Sequence, residues 1–188
     1  MKLYMIMIGC RPKGRYTEQH DIFFGIGNSI KELTPQMNEF WPEAKGNFHI
    51  DAWREVNFVD NYKIEVVPKG TATVNSSQLF FINLGGYKEN EFEEYHYKIL
   101  SVGDSLSEVT QKAKKTTFYK HFGFKGATSH IDDKFGIDID DTYKVKEILS
   151  STFTNNFDIQ ISKTEIIEED VFHIGYLNLD KLIKHGKK

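Results

Sequence analysis

Cys10 is the only cysteine among 188 residues, so no disulfide can form within the chain. A chain without internal disulfides suits a reducing compartment, and a cytoplasmic location is expected. Long apolar runs are missing too. No stretch approaches the roughly 20 residues of a membrane-spanning helix, so no membrane partner is expected. Met7-Ile8-Gly9-Cys10 imitates a lipoprotein cleavage box behind a lysine and a short apolar run. The segment ahead of it falls short of the roughly 15–30 residues of a secretory signal. An excess of one charge is also lacking: 24 basic side chains stand against 27 acidic ones, a net −3. Nucleic-acid binders carry a basic stripe and a high pI. Here the pI is near 6.2 and the cations are scattered, so no nucleic-acid partner is expected. The basic run from Lys181 to Lys188 reads as a solvated tail.

What is abundant is aromatic: 15 Phe and 9 Tyr, enough to build a core without staples. A chain of this length buries roughly 70% of its unfolded surface. The most informative pattern is internal. Residues 3–40 align with 79–116 without a gap, with nine of the 38 pairs identical and most apolar positions kept apolar. Leu3–Gly9 matches Leu79–Gly85, Glu18-Gln19-His20 matches Glu94-Tyr95-His96, and Gly27–Glu32 matches Gly103–Glu108. After a five-residue length difference, His49-Ile50-Asp51 meets His130-Ile131-Asp132, and Asp60, Tyr62 and Lys63 meet Asp141, Tyr143 and Lys144. Several matching blocks in one order point to duplication.

Each copy reads alike. A Gly-bounded apolar run at 2–8 or 79–84 is a buried strand, and a second strand follows at roughly 18–26 or 94–102. Ser29-x-x-Glu32 and Ser105-x-x-Glu108 spell capping boxes, each opening a helix. Ile30, Leu33 and Met37 share one helical face, as do Leu106, Val109 and Ala113. Thr34-Pro35 is expected to restart the first helix with Thr34 as cap, and Pro42 to stop it. A last strand near Tyr62–Val67 or Tyr143–Ile148 closes each copy. The fold expected is α+β: two tandem pseudo-symmetric ββαβ units forming a mixed or antiparallel sheet with helices on one face. Residues 1–76 form the first, 77–150 the second. Residues 151–188 add strands at Phe157–Ile161 and Phe172–Leu179 that pack on the repeats.

The motifs Gly-x-Arg-Pro-x-Gly-Arg (9–15), Glu-Gln-His-Asp (18–21), His-Ile-Asp-Ala-Trp (49–53), Asn-Leu-Gly-Gly-Tyr (83–87), Glu-Glu-Tyr-His-Tyr-Lys (93–98) and Ser-His-Ile-Asp-Asp-Lys (129–134) carry a family likeness. Across roughly 1–150 the chain resembles a bacterial family known only as a domain of unknown function, numbered fifteen forty-three. The resemblance implies a bacterial origin and agrees with a duplication. It transfers no activity, substrate or cofactor.

The leading site candidates are the repeated pairs. In a strand, residues i and i+2 point to one face about 7 Å apart. Glu18 with His20 and Glu94 with His96 therefore place a carboxylate beside an imidazole, able to share a metal or pass a proton. His49 with Asp51 and His130 with Asp132 have the same parity. The competing reading is structural, with each acid orienting its histidine or tying down a loop. Arg11-Pro12-Lys13-Gly14-Arg15 forms a basic loop after a strand, where an anion can bind. The aligned loop Tyr87–Glu91 leans acidic, so the fold does not require that charge. Gly9 to Gly14 has Walker-like spacing, but Arg15 and Tyr16 replace the Lys and Ser/Thr that reach phosphate and magnesium.

Two further patterns are weaker. Gly103-Asp104-Ser105-Leu106 and Asp170-x-x-His173 resemble the GDSL esterases, which implies Ser105 as nucleophile, but Ser105 already has a cap to make and no Gly-x-Asn block lies between them. Asp138, Asp140 and Asp141 resemble a calcium loop in acidity alone. Cys10 reads as a small buried apolar residue. The expected function is binding of a small molecule or metal through Glu18, His20, His49, Asp51, Glu94, His96, His130, Asp132, Arg11 and Arg15. The alternatives are a structural or protein-interaction module, with a homo-oligomer as one form of it, and a hydrolase using Ser105 or metal-dependent chemistry.

Overall fold

The computed structural model describes residues 1–123, 125, 129–131, 142–166 and 168–178. Asp132, Asp138, Asp140, Asp141, the side chain of His130 and the terminal basic run lie outside the described residues. In chain order the elements are β1 (Lys2–Cys10), β2 (Gln19–Gly27), α1 (Thr34–Phe40), β3 (His49–Glu55), β4 (Phe58–Val59), β5 (Tyr62–Pro68), β6 (Gln78–Tyr87) and β7 (Glu94–Gly103). Then come α2 (Leu106–Ala113), α3 (Thr117–His121), β8 (His130–Ile131), β9 (Thr142–Lys144), α4 (Val145–Ile148), α5 (Ser151–Thr154), β10 (Phe157–Lys163) and β11 (His173–Asn178). The strands make three sheets, and every pairing among the described residues is antiparallel. The class is α+β. Among the described residues no helix is long and apolar enough to cross a membrane. The chain divides into two compact units: Met1–Thr73 with Leu149–Lys188, and Val74–Ile148.

In unit one, a four-stranded sheet runs β11-β3-β1-β2 and a three-stranded one β10-β5-β4. The central strand β1 is buried on both faces, with Tyr4, Ile6 and Ile8 on one and Leu3 on the other. That is why its sequence is a continuous apolar run rather than an alternation. The face of Tyr4, Ile6 and Phe23 takes a 3-10 turn (Ile30–Leu33) and α1. Phe23 meets Phe40 edge to face at 5.5 Å. Gly25 lies so close beneath this layer that a Cβ would come within 3.0 Å of Leu33 Cδ2. Ile30, Leu33 and Met37 are all buried, as their spacing requires.

The start of this segment differs from expectation. Ser29 makes no side-chain cap, because the first turn is 3-10 rather than α. The Glu32 carboxylate instead accepts the backbone N–H of Asn28 at 2.9 Å. Thr34 is already the first residue of α1, with Leu33 in the cap position, so Thr34 does not cap. The strand expected near Tyr62–Val67 exists as β5, which pairs with β10 and with β4. The tail strands fall where expected, and β11 lies on the edge beside β3. Asp170 pins this tail. Its buried carboxylate accepts the N–H of Asn57 at 3.0 Å and of Phe58 at 3.2 Å, and the Asn57 side-chain amide at 3.2 Å.

In unit two, β7, β6 and β8 pair in that order and β9 also pairs with β6. Phe80, Ile82 and Leu84 of β6 pack under Val109 and Ala113 of α2, with Leu106 and Ile99 alongside. Here the capping box forms. Ser105 accepts the N–H of Glu108, and Glu108 reaches back to the N–H of Asp104 at 2.9 Å. That backbone bond, and then Lys112, hold the Glu108 carboxyl below its usual range. The strand expected over Tyr143–Ile148 stops at Lys144, and Val145–Ile148 is helical. Val145 and Ile148 are apolar at helical i, i+3 spacing, and Lys144 meets Glu147 across one turn at 3.3 Å.

Two measurements check this account. Ser105→Ala should cost about 1 kcal/mol of stability, as loss of a cap does, while Ser29→Ala should cost almost nothing. Denaturant titrations of both variants read the difference. The Tyr4 hydroxyl, pushed up to about 12 by burial and then by Glu55, keeps its proton in the fold when unfolded chain has lost it. Between about pH 10 and 12 the folded state therefore binds more protons, and stability falls as pH rises through that window. In Tyr4→Phe this slope should be shallower.

Candidate metal centre

Three neighbouring strands bring the first repeated pairs together. Gly9 of β1 sits opposite His20 of β2 and opposite His49 of β3. Glu18 closes the loop that leads into β2. Asp51 arrives by a β-bulge: Met7 faces Ala52 and Ile8 faces Ile50, so Asp51 is the extra residue with no partner on β1. A bulge bends its strand and re-aims the side chain it carries.

The four side chains form a ring in which acid and imidazole alternate. His49 Nε2 lies 3.1 Å from Glu18 Oε1 and 3.1 Å from Asp51 Oδ2. His20 Nε2 lies 3.3 Å from Asp51 Oδ2 and 3.7 Å from Glu18 Oε2. Ligand atoms of Glu18, His20 and His49 all fall within 4.8 Å of one another. A tetrahedron around an ion with bonds of about 2.0–2.1 Å has edges of about 3.3–3.4 Å. The ring's four edges, 3.1 to 3.7 Å, bracket that length, with Glu18 reaching its two histidines through different oxygens.

Proximity alone does not satisfy these atoms. His49 Nε2 and Asp51 Oδ2 are buried and have no hydrogen-bond partner. A buried polar atom without a partner costs about 1–3 kcal/mol. A cation at the centre of the ring satisfies both at once. The ring is closed below and open above: His49 is 12% exposed, whereas His20 and Glu18 are 38% and 45% exposed. Tyr176 of β11 covers the His49 ring at 4.4 Å between centroids.

Gly9 is the floor. A Cβ there would collide with Asp51 Oδ2, come within 2.6 Å of His49 Nε2 and reach 3.0 Å from His20 Cδ2. Its backbone does not need glycine's freedom, so the missing side chain answers to the space the ring occupies. Cys10, the next residue, alternates to the other face and is buried. Burial, and then Glu18, push its thiol up, so it stays a neutral apolar filler rather than a thiolate ligand.

In unit two, Gly85 likewise sits opposite His96 on β7 and opposite His130 on β8. Glu94 opens β7 facing Tyr87, whose hydroxyl donates to Glu94 Oε1 at 2.6 Å. Asp132 lies outside the described residues. Arg11 and Arg15 are exposed in the loop between β1 and β2 and make no hydrogen bond or ion pair to the ring among the described residues.

Ser105 is spent as a helix cap and belongs to unit two. Asp170 and His173 belong to unit one, where Asp170 serves Asn57 and Phe58, and His173 stacks flat on Trp53 at 3.8 Å. A shallow depression lined by Asn61, Tyr62, Lys163, Thr164 and Glu165 carries no imidazole. Sequence reasoning missed Gly9 and Tyr176. The aligned Gly9 and Gly85 held the signal for the first; a ring contributed from the tail left none for the second.

A family model described as Domain of Unknown Function (DUF1543) matches residues 15–66, a segment that contains all four side chains of the ring. The resemblance read from the motifs holds over that segment. Among solved structures, the chain is similar to the crystal structure of a protein Il1583 from Idiomarina loihiensis. The TM-score is 0.56 at 21% identity, over 95% of this chain and 97% of that one, a likeness of fold. No curated protein matches the sequence.

Gly9→Ala should leave the fold intact, because extended backbone accepts alanine, yet disperse the ring. Circular dichroism should be unchanged while metal uptake, read by calorimetry with Zn2+, is lost.

Proposed function

We propose that this protein binds a divalent transition-metal ion in unit one, through His20, His49, Glu18 and Asp51. One observation carries the reading: two buried ligand atoms, His49 Nε2 and Asp51 Oδ2, lie without hydrogen bonds above a glycine that leaves room for the ring. Two imidazoles and two carboxylates, without thiolate, suit zinc, iron(II) or manganese better than copper(I). The ring's edges favour zinc-like tetrahedral coordination. Its open side leaves the ion reachable by water or a small ligand. Repetition in unit two is supported by the backbone register, which sets Gly85 between two histidines as Gly9 is set. The same register supports the duplication argued from the sequence.

The test is elemental mass spectrometry of untagged protein beside a His20→Ala, His49→Ala double variant. Near-stoichiometric metal that disappears in the variant is the expected result. Protein that carries no metal, and takes none on dialysis against Zn2+, would sink the proposal. An interaction module would then replace it, a reading favoured by the exposed Phe172, Ile174 and Tyr176 on and beside the edge strand β11.

A further inference from the structure

We infer that the metal of unit one is shared with a small phosphate-bearing ligand, held at once by the ion and by the cationic loop Arg11-Pro12-Lys13-Gly14-Arg15; this rests on the metal reading above. The loop hangs from the ring at both ends. Arg11 follows two residues after Gly9, the floor, and Glu18, a wall, comes three residues after Arg15. Arg11, Lys13 and Arg15 are all exposed and pair with no acidic side chain among the described residues. The loop turns tightly at Gly14, whose φ of 84° favours glycine, with the N–H of Arg15 bonded to the carbonyl of Pro12 at 3.1 Å. It is therefore a defined turn that presents three cations with no acidic partner among the described residues.

The corresponding hairpin loop of unit two makes the same connection with the opposite charge. Tyr87, Glu89 and Glu91 stand at the positions aligned with Arg11, Lys13 and Arg15. Its one cation, Lys88, is held over the rings of Tyr95 and Phe122 and beside Glu91. Positive charge is thus no requirement of the hairpin, and in unit one it is left for a ligand. Charge balance then selects the ligand. Glu18 and Asp51 cancel a divalent ion, the imidazoles are neutral ligands, and the three loop cations remain. A dianionic tetrahedral group fits that remainder: one oxygen joins the ion as a fifth ligand from its exposed side, and the others meet guanidinium forks, which bind phosphate in bidentate fashion. Without the metal, the two carboxylates repel the same anion.

The experiment uses the full chain loaded with Co2+, whose visible bands report its coordination, titrated with inorganic phosphate and in parallel with phenyl phosphate. The bands should shift saturably, and metal-free protein should show no phosphate binding by calorimetry. An Arg11→Ala, Arg15→Ala double variant should bind Co2+ at the same stoichiometry but need at least tenfold more phosphate for the same shift. Tighter phenyl phosphate assigns the ligand as an ester, tighter inorganic phosphate as the free ion. Unchanged bands, or a variant that titrates like the parent, would overturn the inference while leaving the metal site standing. Protein that takes no Co2+ would overturn both.

Discussion

Three strands converge on a residue with no side chain, and the site depends on that convergence. Gly9 lies between His20 and His49, and its missing Cβ is the volume into which Asp51 and His49 project. Such closeness is unfavourable without a further partner. The two central atoms are buried without hydrogen bonds, and two carboxylates face each other across the ring. The sheet tolerates this because its stability comes from elsewhere: the Ile6, Ile8 and Ile50 core, the layer of Leu33 and Met37, and the Asp170 clasp on the tail. Strain of this kind, held by a rigid scaffold, marks a site better than any one residue type does.

The strands were legible because their signal is dense. A continuous apolar run fixed β1 and β6 to within a few residues, and Ile30, Leu33 and Met37 or Val109 and Ala113 marked the buried faces by spacing alone. The misread positions share a cause. Ser29 and Ser105 stand in the same local pattern, yet only the second caps, because the first opens a 3-10 turn whose hydrogen bonds close one residue earlier. Tyr143–Ile148 alternates well enough for a strand, but burial of Val145 and the Lys144–Glu147 pair settle the second half as helix. One partner of β5, the hairpin strand β4, is local, but the other could not be read locally, since β10 lies some ninety residues further along the chain.

For the site, the i, i+2 parity of Glu18 with His20 pointed to two side chains that the structure places near each other, and the strand pairing supplied what parity cannot. His20 and His49 belong to different strands and meet only because both are opposite Gly9. The bulge at Asp51 was equally invisible: a bulge is a mismatch between two strands, not a property of one. Histidine with carboxylate is a weak pattern in a sequence because either residue hydrogen-bonds readily on a surface. It becomes a strong one only when the geometry shows those bonds unmade.

The two units then separate what the hairpin needs from what unit one adds. Both hairpins put a glycine between histidines, and both place a glutamate at the mouth of the second strand. In unit two, the Tyr87 hydroxyl occupies the glutamate, and the loop that follows is acidic, with its lysine tied to aromatic rings. In unit one, the residue aligned with Tyr87 is Arg11, so Glu18 is left to face His49 instead. One change of residue thus leaves Glu18 to the ring and puts a cation in the loop that leads to it.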